Sequence, residues 1–361
     1  MLQAAAAPVY NGCVQTAPNP VLSIVTRSGE VESWHRGAVA VWHECEPVLE
    51  VGDVAAPVFV RSAVKPLQAL PLFERGVVDR LALSTAERAV LCASHDGTDE
   101  HVAAVRSLLA RGGLDEDRLG CGPHAPFAKE ARLAMLRRGA SPEKVHNNCS
   151  GKHAGFLYLA RECGDELGDY LQPESAAQRL VHATVAEMAG LDGPLPTGLD
   201  GCGAPTFRLP LRGLARAFCR MANPDGLAPV RAAACRSIFA AVGEAPAMLA
   251  GQGRLCTALV GTWPGRSFAK NGAEGVYVVA LSADPARRRW PGALGIAVKV
   301  DDGAERGYQP VVVDLLRWLG AFGEAVAGVP APLQRFWQVP VRNTQRRPVG
   351  EVRCAFAWER A

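Results

Sequence analysis

Short β-branched and aromatic runs crowd the two ends of the chain, while helix-spaced apolar residues fill its middle. Val21-Leu22-Ser23-Ile24-Val25, Ala38-Val39-Ala40-Val41-Trp42 and Val48-Leu49-Glu50-Val51 read as strands separated by turn residues. Pro57-Val58-Phe59-Val60 is a fourth strand, and it leads into residues 67–73, which have the apolar spacing of a buried helix. Ala89-Val90-Leu91-Cys92-Ala93 is a short apolar run that stops at Ser94-His95-Asp96-Gly97. Thr98 then caps a helix with Asp99 and Glu100 in its first turn and Gly112-Gly113 beyond its end. From about 128 to 250 the pattern is mainly helical, broken by two polar, glycine-containing loops at 147–153 and 200–205. Strands return after 265. One is Gly275-Val276-Tyr277-Val278-Val279-Ala280, and another is 294–300, running into the turn Asp301-Asp302-Gly303. A helix around Val311 to Phe322 and a mixed tail complete the chain. This order predicts one sheet completed by strands from both termini, an α+β layering with a helical insert around 98–250. Residues 1–18 read as a flexible leader and 19–361 as a single domain.

Composition adds limits. The chain has 361 residues, 48% apolar and 21% charged, which is ordinary globular usage. Its net charge of +3 comes from 39 basic and 36 acidic residues with no basic block, so nothing points to nucleic acid. No apolar run approaches the roughly 18 residues of a membrane span, and residues 1–18 lack the charged and apolar regions of a secretion signal. Eleven cysteines without a Cys-x-x-Cys pair read as reduced thiols, hence a cytoplasmic location. Cys163, Cys219 and Cys235 sit within helical patterns as small core residues, so any special role should fall on loop cysteines.

The candidate chemistry begins at Arg61-Ser62-Ala63-Val64-Lys65-Pro66. A serine and a lysine three apart at a helix entry share one face, and a partly desolvated lysine can take the proton of a serine nucleophile. Ser-x-x-Lys is the nucleophile motif of β-lactamases and penicillin-binding proteins. Pro66 disfavours the α conformation at Lys65, so the helix is expected to begin properly near Pro66, with Ser62 and Lys65 on an irregular first turn. Taken alone, the same four residues equally describe an ordinary capped helix start.

Four further loop motifs follow in order: Cys92-Ala93-Ser94-His95, Cys121-Gly122-Pro123-His124, residues 148–155 (Asn-Cys-Ser-Gly-Lys-His-Ala-Gly), and residues 200–206 (Asp-Gly-Cys-Gly-Ala-Pro-Thr). Together with the Ser62 motif, the chain resembles the rhizobial-type (class 3) L-asparaginases from about residue 21 to its C-terminal region. The resemblance implies a fold like that of the serine β-lactamases and Ser-Lys glutaminases. It also implies hydrolysis of L-asparagine to aspartate and ammonia by two Ser-Lys pairs, Ser62 with Lys65 and Ser94 with Lys270. It implies zinc (Zn2+) held by Cys149, Lys152 and Cys202, with His153 and His124 as fallback ligands, and a cytoplasmic homodimer. A lysine ligand requires a neutral amine. The resemblance also implies that Asp200 lies near the metal and substrate, where its carboxylate would hold the substrate's amino group. Arg61 would pair with the substrate carboxylate or with Asp200, and His153 joins the substrate-binding set. The segment 174–178 lacks a His-Pro that many relatives carry, which bears on substrate preference. The expected reaction is acyl transfer, with Ser62 favoured as the nucleophile. Two alternatives stay open: a β-lactamase or D,D-peptidase, against which the missing Ser-Asp-Asn motif and export signal count, and a zinc-binding protein without turnover.

Overall fold

The computed structural model describes residues 18–323 and 328–360. Residues 1–17 of the expected leader lie outside them. Among the described residues, eleven strands form two antiparallel sheets. In chain order they are β1 (Val21–Arg27), β2 (Glu30–His43), β3 (Glu46–Val51), β4 (Pro57–Phe59), β5 (Thr197–Leu199), β6 (Pro205–Pro210), β7 (Ser267–Asn271), β8 (Val276–Leu281), β9 (Leu294–Val300), β10 (Val339–Arg342) and β11 (Pro348–Cys354). The main sheet runs β10-β11-β1-β2-β9-β8-β7, with β3 paired to β2 off this path. The strands nearest the two ends of the chain are neighbours, Ser23 lying opposite Cys354. The expected sheet, completed from both termini, is what forms.

The long strand β2 is the hinge of this arrangement. Its first half pairs with β1 and its second half, from Gly37 on, lies between β3 and β9. Helices cover both faces of the region around β9. The helix Leu211–Ala222 sits so close to one face that a Cβ on Gly295 would lie 2.1 Å from the Ala215 carbonyl oxygen. The helix Glu305–Trp318 covers the other, with Gly307 against His35 and Val300. Because both faces are covered, all six residues of β8 are buried, and the strand reads as a continuous apolar run without alternation.

Three details depart from the sequence reading. Residues 57–59 do not join the main sheet but pair with β6, which also pairs with β5. These short strands were hidden in a region read as helical, because β5 has only three residues and β6 begins and ends with proline. The last long helix starts at Glu305, not near Val311, and carries Pro310 within it. Finally, Lys65 is α-helical (φ −53°, ψ −39°) despite the proline that follows it. A 3-10 turn over Arg61–Val64 leads directly into the helix Lys65–Glu74, so Ser62 alone is on the irregular turn. Pro66 is tolerated in the first helical turn, where a missing N–H leaves no bond unmade.

Candidate active site

Two lysines are wholly buried in this fold, Lys65 at the start of its helix and Lys270 on β7. A buried ammonium is costly unless its hydrogens find acceptors. Lys65 Nζ donates to the Ala93 carbonyl at 2.5 Å and to Ser94 Oγ at 2.9 Å, with the Asn148 carbonyl at 3.5 Å. Three acceptors match the three hydrogens of an ammonium. The strip that supplies them is pinned in place, since Ser94 N donates to Leu249 O and His95 N to Asn148 O.

Lys270 is arranged differently. Its Nζ donates to the backbone oxygen of Asn271 at 2.8 Å and to the Asn271 Oδ1 at 2.9 Å. Two acceptors use the two hydrogens of a neutral amine and leave its lone pair free. Burial pushes the Lys270 amine down to about 7; Cys256 opposes this and the Lys65 charge adds to it. Asn271 Oδ1 also lies 3.5 Å from Cys256 Sγ, which in turn is 3.5 Å from the buried Tyr277 hydroxyl. The lysine therefore rests on a second layer of polar groups.

Ser62 stands half-buried on the turn before Lys65, and among the described residues its hydroxyl has no hydrogen-bond partner. The end of β7 packs on that same turn, where a Cβ on Gly272 would lie 2.8 Å from Val60 O and 3.2 Å from Ala63 N. The pairing thus differs from the expected one. Lys65 is tied to Ser94, not to Ser62, because its side chain runs inward from the helix start to the 93–94 strip. The Lys270 strand lies against the Ser62 turn. Arg61, on the other side of Ser62, has the left-handed φ of +48°, which a non-glycine residue adopts only under local constraint. The constraint is visible. Arg61 Nε donates to Asp200 Oδ1 at 2.7 Å, joining this turn to the loop after β5. Burial would raise the Asp200 carboxyl, but the Lys152 charge and the Arg61 bond hold it below the usual carboxylate range. Of the two partners expected for Arg61, the protein itself supplies Asp200.

Cys149, Lys152 and Cys202 also converge. Cys149 caps the helix Ser150–Cys163, whose first turn carries Lys152, and Cys202 lies in the turn between β5 and β6. All three are buried, and Lys152 Nζ is 3.2 Å from Cys202 Sγ. A hydrogen bond from Cys202 and the charges of Lys65 and Lys152 outweigh burial and hold the Cys149 thiol well below its ordinary value, while the Cys202 thiol is pushed up. Burial opposes charge on Lys152, but Cys202, Cys149 and Asp200 keep it raised. Among the described residues no three His, Cys, Asp or Glu side chains gather as a metal group. Two sulfurs and one amine are the donors at hand, a soft set that fits zinc once the amine is neutral. Of the fallback histidines, His124 packs on Phe127 with a buried, unpartnered Nδ1. His153 bonds through Nδ1 to the Tyr170 hydroxyl at 2.7 Å.

Against known proteins, a family model described as L-asparaginase II matches residues 24–354. The chain belongs to the L-asparaginase II family. It is an amidohydrolase of the L-asparaginase type, and the resemblance read from the five motifs is borne out. No curated protein matches it. Similar solved structures include a Bacillus glutaminase crystallised in 4.3 M NaCl, 11% identical, spanning 79% of this chain and 90% of that one at a TM-score of 0.42. Another is a β-lactamase from Burkholderia ambifaria, 16% identical over 82% and 96% of the two chains, with a TM-score of 0.40. A third is a probable glutaminase from Bacillus subtilis complexed with 6-diazo-5-oxo-L-norleucine, 15% identical over 81% and 85%, TM-score 0.38. Asn271 and Tyr170 complete the cluster, and the sequence reading left both out. Asn271 directly follows Lys270 in the sequence. Nothing local in the sequence marks Tyr170.

Proposed function

We propose that this asparaginase hydrolyses L-asparagine through an acyl-enzyme on Ser62, with Lys270 as the base and the Lys65–Ser94 pair as the proton relay. The observation that carries this reading is the contrast between the two buried lysines, one with three acceptors and one with two. A lysine engaged with three acceptors, Ser94 Oγ among them, holds that hydroxyl where a proton can pass between the two. One whose lone pair is free near pH 7 can accept a proton. Ser62, only half buried and with no hydrogen-bond partner for its hydroxyl among the described residues, is the hydroxyl available to attack. Its Oγ forms a bond to the side-chain amide carbon while its proton passes to Lys270. The C–N bond then breaks, and the nitrogen leaves as ammonia with a proton returned through the relay. Water next attacks the β-aspartyl ester, releasing aspartate and restoring the Ser62 hydroxyl. The ammonium of Lys65 beside Ser94 supplies positive charge where the oxyanion builds. Ammonia release from L-asparagine is the direct assay. Lys65→Met should lower kcat on the order of 10³-fold or more, because it removes both the charge and the hold on Ser94. A Lys65→Met enzyme with near-normal turnover would remove the relay from this scheme.

Asp200, held ionised by Lys152 and Arg61, is the group proposed to receive the substrate's amino nitrogen. Cys149, Lys152 and Cys202 are the residues that would hold zinc; bound there, the ion would supply a Lewis-acid contact that orients the substrate. We also assign a cytoplasmic homodimer. No helix among the described residues is long and apolar enough to cross a membrane. Protein purified without added metal should sediment as a dimer at micromolar concentration and carry about one zinc per chain, lost in Cys149→Ala and Cys202→Ala. Metal analysis finding none in the carefully handled wild type would remove zinc from the assignment.

A further inference from the structure

The small sheet has two faces with different neighbours. Thr197 lies opposite Phe207 and Leu199 opposite Pro205, with Gly198 and Thr206 between them. Side chains alternate along a strand, so Thr197, Pro205 and Phe207 share one face. Phe59 covers the other, its ring 3.0 Å from where a Cβ on Gly198 would stand. On the first face, between this sheet and the helix Ala176–Ala189, lies a cavity of about 380 Å³ lined by Gln178, Arg179, His182, Thr197, Pro205 and Phe207. Small-molecule sites occupy roughly 300–1,000 Å³, so the space suits a small ligand. Its polar groups are each half committed. Gln178 is buried; its Nε2 donates to the Tyr170 carbonyl at 2.9 Å, and its Oε1 has no partner. A buried acceptor left bare is rare in a folded protein, and a donor lodged in the adjoining cavity would account for it. The Leu195 N–H can only donate, and it does so to His182 Nε2 at 2.8 Å, which leaves the hydrogen of the neutral ring on Nδ1. Thr197 Oγ1 gives its hydrogen to the Leu195 carbonyl at 3.0 Å and keeps its lone pairs. Arg179 donates to the Glu174 carbonyl, and among the described residues its guanidinium has no carboxylate partner.

We propose that this cavity is a second binding site, for a free α-amino acid whose carboxylate meets Arg179 and His182 and whose ammonium meets Gln178 and Thr197. A simple carboxylate would leave the two acceptors bare, and a simple amine would leave the guanidinium without a counter-ion. A zwitterion serves both, over an apolar floor of Phe207 and Pro205. None of these residues belongs to the Ser-Lys cluster. The two places are nevertheless joined through the backbone. The strands that wall the cavity are those whose connecting turn carries Asp200 and Cys202. Gln178 also anchors Tyr170, whose hydroxyl bonds His153. An amino acid seated there braces the candidate active site from behind, without touching the reacting groups. The asparaginase reading supplies one part of the case, that the protein meets such amino acids as substrate and product; the chemistry of the cavity stands apart from it.

Equilibrium dialysis of the full-length protein against radiolabelled L-aspartate counts the sites. Two molecules per chain are expected. Arg179→Leu, at an exposed position that folding does not depend on, should weaken one of them about tenfold or more, and Gln178→Leu should weaken the same one. Asp200→Ala should remove the other. Succinate has the carboxylates without the ammonium, and it should bind the second site about tenfold more weakly than aspartate. A single aspartate per chain, lost in Asp200→Ala and indifferent to Arg179→Leu, would overturn the second site and leave the asparaginase reading standing. Two per chain, with Arg179→Leu losing one and Asp200→Ala losing none, would uphold the cavity and take Asp200 out of the substrate site. Succinate binding there as well as aspartate would overturn the assignment of a zwitterion.

Discussion

Ser62→Ala is expected to lose activity on the order of 10³-fold or more and to lose, at the same time, the ability to form β-aspartyl hydroxamate from L-asparagine and hydroxylamine. Hydroxylamine intercepts an ester. A mechanism in which water attacks the amide directly offers no ester to intercept, so the trap separates two schemes that release the same ammonia. Ser94→Ala is expected to lose most of its turnover as well, since Lys65 would lose the partner at 2.9 Å through which it acts. The two serines differ in what the structure lets them do. Ser62 is half-buried with no hydroxyl partner among the described residues, while Ser94 is buried and bonded to Lys65 Nζ. An active, hydroxamate-forming Ser62→Ala beside a silent Ser94→Ala would exchange their roles.

Lys270→Met should abolish turnover and yet make the protein more stable. The folded protein holds this lysine near 7 against an ordinary 10.5, chiefly through burial. Between those two values the unfolded chain binds more protons than the folded one, so stability rises with pH across the window. The penalty is present in full below about pH 7 and has gone above about pH 10.5. Its size is of the order of 5 kcal/mol. Methionine fills a similar volume without a charge to desolvate, so its gain in Tm should be large at pH 6 and shrink toward pH 10. The groups acting on this amine are Cys256, Lys65, Cys149 and Arg254, and Lys270 in turn acts on Cys92. In the wild type, kcat/KM should fall on the acid side of about pH 7 as Lys270 takes up its proton. A Lys270→Met protein no more stable than wild type at pH 6, or a wild-type profile flat through pH 7, would sink the assignment of Lys270 as the base.

The sequence carried the sheet and the identity of the site residues further than it carried their partnerships. Strand runs such as 276–281 and 294–300 were legible because apolar β-branched residues are concentrated there. The short strands β5 and β6 were not, because β5 has three residues and β6 is bounded by prolines, so tertiary pairing and not local preference makes them strands. Ser62, Lys65, Ser94 and Lys270 were named from motifs, but motif spacing suggested that Lys65 serves Ser62. Its actual acceptor lies 29 positions away, on a strip whose place is set by Leu249 and Asn148. Arg61 shows the same limit. Its left-handed backbone and its bond to Asp200 depend on a loop that follows nearly 140 residues later. Spacing reveals which groups are chemically competent. Only the closed fold decides which hydrogen goes to which acceptor.

The pairing of β1 with β11 has a bearing on how the chain acquires its shape. Ser23 waits for Cys354, so one flank of β1 stays open until β11 has been made. Loop closure over that span brings its entropic toll before the contacts return anything, which places this protein among slow folders. During that interval the unsatisfied flank of β1 is a template for any other extended segment, including the same strand of a neighbouring nascent chain. Arg27 at the end of β1, bonded to Glu32 of β2 at 2.8 Å, puts a charged side chain at one end of that edge. It acts as a gatekeeper for an edge whose proper partner, β11, is made long after it.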